Sequence, residues 1–191
     1  MLIKSRWIIF CFLLIASCSS RIDNTNHSNV ISLKKIEGRY QYSFENWLVG
    51  GVSEEGLYTE EKYVATNTLD IIKINDNTAF VKLDIICGNG HVGNISGIAE
   101  LNNTMLILEG DPAYDEAGPE DKCVVTFDFS KDDIVVDADY KKYPGCSNYH
   151  GARCYLGWVN SFSRDSRSKI PNYKELYKIA TKSYENKLRG N

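Results

Sequence analysis

The chain lacks most of the signatures by which a sequence announces an enzyme. There is no phosphate-binding loop and no dinucleotide fingerprint; Gly88-Asn89-Gly90 offers turn chemistry only. Cys-x-x-Cys is absent, which removes the usual dithiol redox motif. The three histidines, His27, His91 and His150, stand apart, and no Ser-His-Asp set has a recognisable spacing. Cysteine pairs two to four residues apart, the usual start of a zinc site, are missing as well. So are the basic clusters that phosphate backbones demand, and nucleic acid is not an expected partner. The formal net charge of -3 describes a mildly acidic surface instead. That surface suits association with a basic partner. No enzyme, cofactor or metal site is expected from this inventory.

The chain also lacks an apolar run long enough to span a membrane as a helix. Its longest, Trp7 to Ile15, follows Lys4 and Arg6 and has the length of a signal-peptide core. The run ends in Ile15-Ala16-Ser17-Cys18. This resembles the lipobox of bacterial lipoproteins, an aliphatic residue, two small ones and the cysteine that receives lipid. The resemblance implies cleavage before Cys18 and a membrane anchor through acyl chains on that residue, since more than one chain gives stable anchoring. Ser19 rather than aspartate follows, which in Gram-negative lipoproteins resembles sorting to the outer membrane, facing the periplasm. Residues 1–17 are read as the signal, 18–34 as lipidated cysteine and polar tether, 35–165 as a disulfide-stabilised β domain, and 166–191 as a C-terminal helix. Loss of Lys4 and Arg6 leaves the mature chain more acidic still.

Export changes the meaning of the cysteines. Cys11 leaves with the signal and Cys18 is taken by lipid. Cys87, Cys123, Cys146 and Cys154 remain, an even number in an oxidising compartment, and are expected to form two disulfides. Three connectivities exist for four cysteines. Cys87 and Cys123 lie in phase with the apolar faces of their strands. They are therefore expected to pair inside the core, leaving Cys146 and Cys154 to staple the loop CSNYHGARC.

The same phase argument gives the fold. Ala79, Val81, Leu83, Ile85 and Cys87 alternate with Lys82 and Asp84; Ile95, Gly97, Ala99 and Leu101 alternate with Asn94, Ser96 and Glu100. Cys123, Val125, Phe127 and Phe129 repeat the pattern, as do Ile134, Val136 and Ala138. Further strands are expected at 38–42, near 57–64, at 68–74, at 105–108 and at 153–162, with a loop over 45–56. The expectation is a mainly β fold, an antiparallel meander closing into a small barrel or sandwich. Tyr173, Leu176, Tyr177, Ala180, Tyr184 and Leu188 recur at helical spacing after Pro171, so an amphipathic helix closes the chain. Asn172 and Glu175 are expected to cap it, and Gly190 to end it.

Two loops are candidates for contact with a partner. Glu109–Lys122 is the densest charge cluster; within it Asp111, Tyr114, Asp115 and Glu116 offer carboxylates around an aromatic ring. An acidic finger of this kind raises association rates with a basic partner and is salt-sensitive. The CSNYHGARC loop would present Tyr149, His150 and Arg153. Cys146, His150 and Cys154 do recur every four residues, but Pro144-Gly145 and Gly151 break the helix that would align them as metal ligands.

The whole layout, a lipobox, a tether and a disulfide-bonded antiparallel barrel, is similar to that of bacterial lysozyme-inhibitor-like envelope proteins. Immunity proteins against cell-wall-degrading toxins share its logic. The resemblance implies a non-enzymatic protein-binding module acting on a basic cell-wall hydrolase. A second resemblance is to bacterial lipocalins: Gly38-Arg39-Tyr40 stands where they carry Gly-x-Trp, and a helix follows the strands in both. It implies a carrier of a small apolar ligand.

Overall fold

The computed structural model describes residues 31–52, 55, 56, 58–110, 122–151 and 153–190, without the side chains of Val52 and Tyr58. Among these are eight antiparallel strands: β1 Gly38–Val52, β2 Tyr58–Lys73, β3 Thr78–Ile86, β4 Val92–Asn102, β5 Met105–Gly110, β6 Cys123–Asp128, β7 Asp133–Ala138 and β8 Ser161–Ser163. Each pairs with the next in chain order. After β8 the chain returns to β1. Arg39 N–H donates to the Ser168 carbonyl at 3.0 Å, and Ser168 N–H donates back at 2.8 Å. The expected meander is thus a nearly closed barrel.

The barrel is filled by its own alternation. Val81, Leu83, Leu106, Leu108, Val125 and Phe127 point inward and have no measurable exposure. They join one continuous interior cluster. Full burial of an aliphatic or phenyl side chain is worth about 1.5–3 kcal/mol, so this layer supplies most of the drive to fold. A second, smaller cluster lies outside. Ile72, Phe80 and Ile98 face outward and are covered by Ala180 and Leu176 of the helix α2, Tyr173–Arg189. Beside them Asp70 is almost wholly buried, and Arg39 holds it with two bonds of 2.7 and 2.6 Å.

The two ends of the barrel differ. At one, the turns are short and self-bonded. The Asn75 side-chain oxygen accepts from Asn77 N–H at 2.9 Å. Asn103 takes a left-handed φ of 55° between β4 and β5. The Asp128 carboxylate accepts from the backbone and hydroxyl of Ser130. A four-residue helix, α1 Leu33–Ile36, seals this plain end with the buried side chains of Leu33 and Ile36. The expected tether boundary at 34 therefore falls inside α1. The other end, the loop end, carries the tip of the β1–β2 hairpin, the β3–β4 turn, the facing termini of β5 and β6 at Gly110 and Cys123, and the long segment from β7 to β8.

Several expectations are corrected. The segment 45–56 is not a loop: β1 runs on to Val52, paired with β2 as a two-stranded ribbon beyond the barrel wall. The segments near 57–64 and 68–74 are one strand, β2. The final strand shrinks to Ser161–Ser163, because residues 154–160 turn under other constraints described below. Asn172 adopts the left-handed region and makes no side-chain cap, so the capping pair with Glu175 does not form. Gly190 does end α2, with φ +77° and its N–H on the carbonyls of Asn186 and Lys187.

Candidate functional site

The disulfides build the loop end, and they are not paired as the strand phase suggests. Cys87 bonds Cys154, and Cys123 bonds Cys146. All four expected cysteines are used, but no short staple closes CSNYHGARC. The reason lies in the meander. Cys87 follows the loop-end terminus of β3, and Cys123 begins β6 three strands further round the wall. The hairpin β6–β7 brings the chain back to the same end, where Cys146 reaches Cys123 across a Cα separation of 4.4 Å. Cys154 then crosses to Cys87 at 5.4 Å. The two bonds fasten the 139–160 segment to opposite sides of the barrel mouth.

On either side of those bonds, side chains lock the segment. The Asp139 carboxylate accepts the N–H groups of Lys141 and Lys142, each at 3.1 Å. The Tyr140 hydroxyl accepts Leu156 N–H at 2.5 Å, and burial pushes the Tyr140 hydroxyl pKa upward. Its ring meets His150 edge-on with centroids 5.6 Å apart and Tyr155 at 6.2 Å. Tyr155 in turn meets Trp158 at 5.7 Å. Edge-to-face pairs of this spacing are favourable beyond their buried area. Tyr155 and Trp158 are nonetheless 45% and 43% exposed. A chain of aromatic rings thus runs from a half-buried root to an open surface.

Of the expected contact residues in this loop, one is freely presented. Arg153 is exposed, at a left-handed φ of 62°. Tyr149 packs against the interior cluster with its ring over Gly110. A Cβ at Gly110 would come within 2.7 Å of the Tyr149 hydroxyl, which explains a glycine in a strand. His150 is half-buried. Its Nδ1 lies 2.9 Å from the Gly151 carbonyl, and its backbone bridges to Gly93. Asp111, Tyr114, Asp115 and Glu116 lie outside the described residues. With all four cysteines oxidised, no thiolate is left to hold a metal here, and among the described residues no three His, Cys, Asp or Glu side chains converge as ligands.

The ribbon completes the loop end. Beyond Thr68, β2 has no partner but β1, and the two lean together over the β3–β4 turn. Asn46, itself buried, donates from Nδ2 to the Cys87 carbonyl and to the Tyr63 hydroxyl, both at 2.8 Å. The Asn89 side chain accepts Val49 N–H at 2.8 Å. Leu48 lies against Gly90, whose φ of 70° and missing Cβ admit it. The ribbon's outer face shows Trp47, Val49 and Val64, all exposed. They stand opposite Lys62, Glu60 and Glu45 respectively. Lys62 sits 5.8 Å from the Trp47 ring.

No family model, curated protein or solved structure matches the chain. The site must be read from its own side chains. Tyr140, Tyr155, Trp158 and Trp47 were all missed as site residues by sequence reasoning. Two signals point to them: the density of aromatic residues between Tyr140 and Trp158, and a tryptophan beside Gly50-Gly51 in a stretch without strand periodicity. Among the described residues the inward-facing side chains form one continuous buried cluster. A groove of about 600 Å³ lies beside α1 at the plain end.

Proposed function

We propose that this is a lipid-anchored cell-envelope protein that binds another protein through its loop end, acting as an inhibitor or immunity protein against a basic cell-wall hydrolase. The observation that carries the reading is the exposed Tyr155–Trp158 pair, rooted on Tyr140 and following directly on the Cys87–Cys154 disulfide. Rigid, half-open tyrosine and tryptophan side chains are what protein-binding hot spots are made of, and preorganisation spares the entropy of ordering them on contact. Glu45, Glu60 and Glu61 on the ribbon add exposed carboxylates near the same end, which favours a basic partner and a salt-sensitive association rate.

The geometry of attachment supports the same reading. The chain enters the barrel at Ile31, whose N–H donates to the Asn103 carbonyl at the plain end. An anchor at Cys18 would then hold the plain end toward the membrane and turn the loop end away from it, toward the space where cell-wall enzymes work.

The test places a photo-crosslinking residue at Tyr155 in cells and, separately, at Thr181 on α2. A protein adduct from position 155 that weakens at high salt is expected, with no matching adduct from 181. If position 155 captures lipid or small molecules and no protein, the reading is wrong. Anchoring is tested separately: the N-terminal peptide of membrane-extracted protein should begin at an acylated Cys18, and Cys18→Ser should release the protein into the soluble fraction.

A further inference from the structure

The plain end has an unexplained charge pattern. The chain as a whole is acidic, yet this end gathers lysines and arginines, many of them without a close acidic partner. They lie on α1, on the segment after β8, and on one stripe of α2.

The roll of α2 is fixed by its contacts. Tyr173 donates its hydroxyl to Glu37 at 2.7 Å, and the Tyr184 hydroxyl accepts from Asn75 of the β2–β3 turn at 3.2 Å. Both partners belong to the plain end. On the opposite flank, Ser183, Asn186 and Lys187 border Ser96, Gly97 and Glu109, further along the barrel wall. The stripe containing Tyr173, Tyr177, Tyr184 and Leu188 therefore faces the plain end. Tyr177 is 42% and Leu188 69% exposed there. Lys174, Lys178 and Lys182 recur every four residues, all exposed; Lys174 adjoins that stripe, and Lys178 and Lys182 continue it onto the helix face turned away from Leu176 and Ala180. Glu185 in that stripe is offset by Arg189 at 3.8 Å.

The groove beside α1 continues this surface. Lys34, Arg167 and Lys169 line it together with Tyr173 and Glu37. The one carboxylate, Glu37, is already engaged by Tyr173 and by Lys73 N–H. Arg167 donates to the Lys35 carbonyl, which ties α1 to the far wall of the groove. Toward β8 the charge is mixed, with Asp132, Asp133 and Asp165 in the same segments as Lys131 and Arg164; the excess of cations lies on the α1–α2 side.

We infer that the α1–α2 side of the plain end is a foot that rests on a bilayer surface bearing anionic phospholipids, with lipid phosphate entering the Lys34–Arg167–Lys169 groove. Charge complementarity carries this, together with continuity with the chain's point of entry at Ile31. A polar tether from Cys18 to Ile31 reaches about 20 Å, so the anchored membrane is the surface this foot meets first. Lysines near an anionic leaflet bind it additively, and tyrosines beside them suit the headgroup layer. The inference rests on the lipoprotein reading for its biological setting, but the surface can be tested without it.

The test uses full-length mature protein carrying Cys18→Ser, so that no acyl chain contributes. Co-sedimentation is measured with vesicles of phosphatidylglycerol and phosphatidylcholine, and with phosphatidylcholine alone. Binding to the anionic vesicles, falling steeply as salt is raised, and none to the zwitterionic ones is expected. Lys174→Gln, Lys178→Gln and Lys182→Gln should each weaken it about five-fold. Glu60→Gln at the loop end should leave it unchanged. These are exposed helix positions, and an unchanged melting temperature will show that the variants fold. Equal binding to both vesicle types, or indifference to the lysine variants, overturns the foot. An acylated Cys18 with no vesicle binding would remove the foot and keep the anchor; vesicle binding with an unmodified Cys18 would do the reverse.

Discussion

The plain end and the loop end close the same barrel by different chemistry. At the plain end, asparagine and aspartate side chains bond to the backbone within a few residues, and Leu33 and Ile36 fill the opening. Every connection is short enough to be stabilised locally. The loop end has connections too long for that, and its 139–160 segment has almost no strand ladder to hold it. Covalent bonds and a buried tyrosine hydroxyl supply what the ladder does not. The difference teaches that the plain end is built for closure, whereas the loop end is built to hold an irregular surface still.

Breaking the cross-links should separate the ends most sharply. Replacing Cys87 and Cys154 with alanine opens a link between residues 67 apart. Loop-closure entropy sets the cost near 4 kcal/mol, against about 3 kcal/mol for the pair Cys123 and Cys146. Urea unfolding curves would measure both. Hydrogen exchange should rise in residues 139–160 well before it rises in the 74–77 turn. Equal loss of protection at both ends would mean the disulfides stabilise the whole barrel and not the loop end.

At the plain end the matching perturbation is apolar. Ile36→Ala empties a site that is 1% exposed, and a cost of about 2–5 kcal/mol is expected by thermal or urea melts, with partner binding at the loop end intact. On the wall between the ends, Arg39→Met strands the buried Asp70 carboxylate. A loss of about 3–5 kcal/mol is expected, and restoring neutrality with Arg39→Met plus Asp70→Asn should recover part of it. A double-mutant cycle would show no coupling if the pair were merely a surface contact.

Trp158→Ala sharpens the contrast from the other side. Its side chain is nearly half exposed, so stability should change by less than about 1 kcal/mol. Affinity for a protein partner should fall about 30-fold or more, as for other hot-spot tryptophans. The smallest effect is a pH effect. Burial and the bond to Glu37 push the Tyr173 hydroxyl up to about 12, above the ordinary tyrosine value of about 10. The folded state thus favours the protonated ring. Its contribution is intact below about pH 10 and is lost as pH rises through about 12. Burial also raises Tyr40 and Tyr140, so tyrosinate absorbance should show one fewer late-titrating group in Tyr173→Phe than in the parent protein.

Much of this architecture was legible because one face of each wall strand is buried. Val81, Leu83 and Ile85 alternate with Lys82 and Asp84 because the core imposes period two. The ribbon lacks that constraint. From Trp47 to Gly51 neither face meets the barrel core, so Trp47, Leu48 and Val49 follow one another and read as a loop. Residues 154–160 misled in the opposite sense. Tyr155, Trp158 and Val159 have strand propensity, but Cys154 and the Tyr140 hydroxyl bend the backbone into a tight turn at Leu156–Trp158. For the disulfides, phase placed Cys87 and Cys123 on the inner face, which is where they are. Phase carries no information on which end of which strands meet, and the return of the chain through β7 decides that.

The seam between Arg39 and Ser168 bears on the order of assembly. It joins residues 129 apart, near the two extremes of the domain. Contacts so distant in sequence carry a large loop-closure cost and form late. A chain made from its N-terminus holds β1 with one edge unpaired until Ser168 has been added. Cys87 waits in the same way for Cys154. The barrel therefore closes only once Ser168 is in place, and β1, the first strand made, is the one left longest with an unpaired edge.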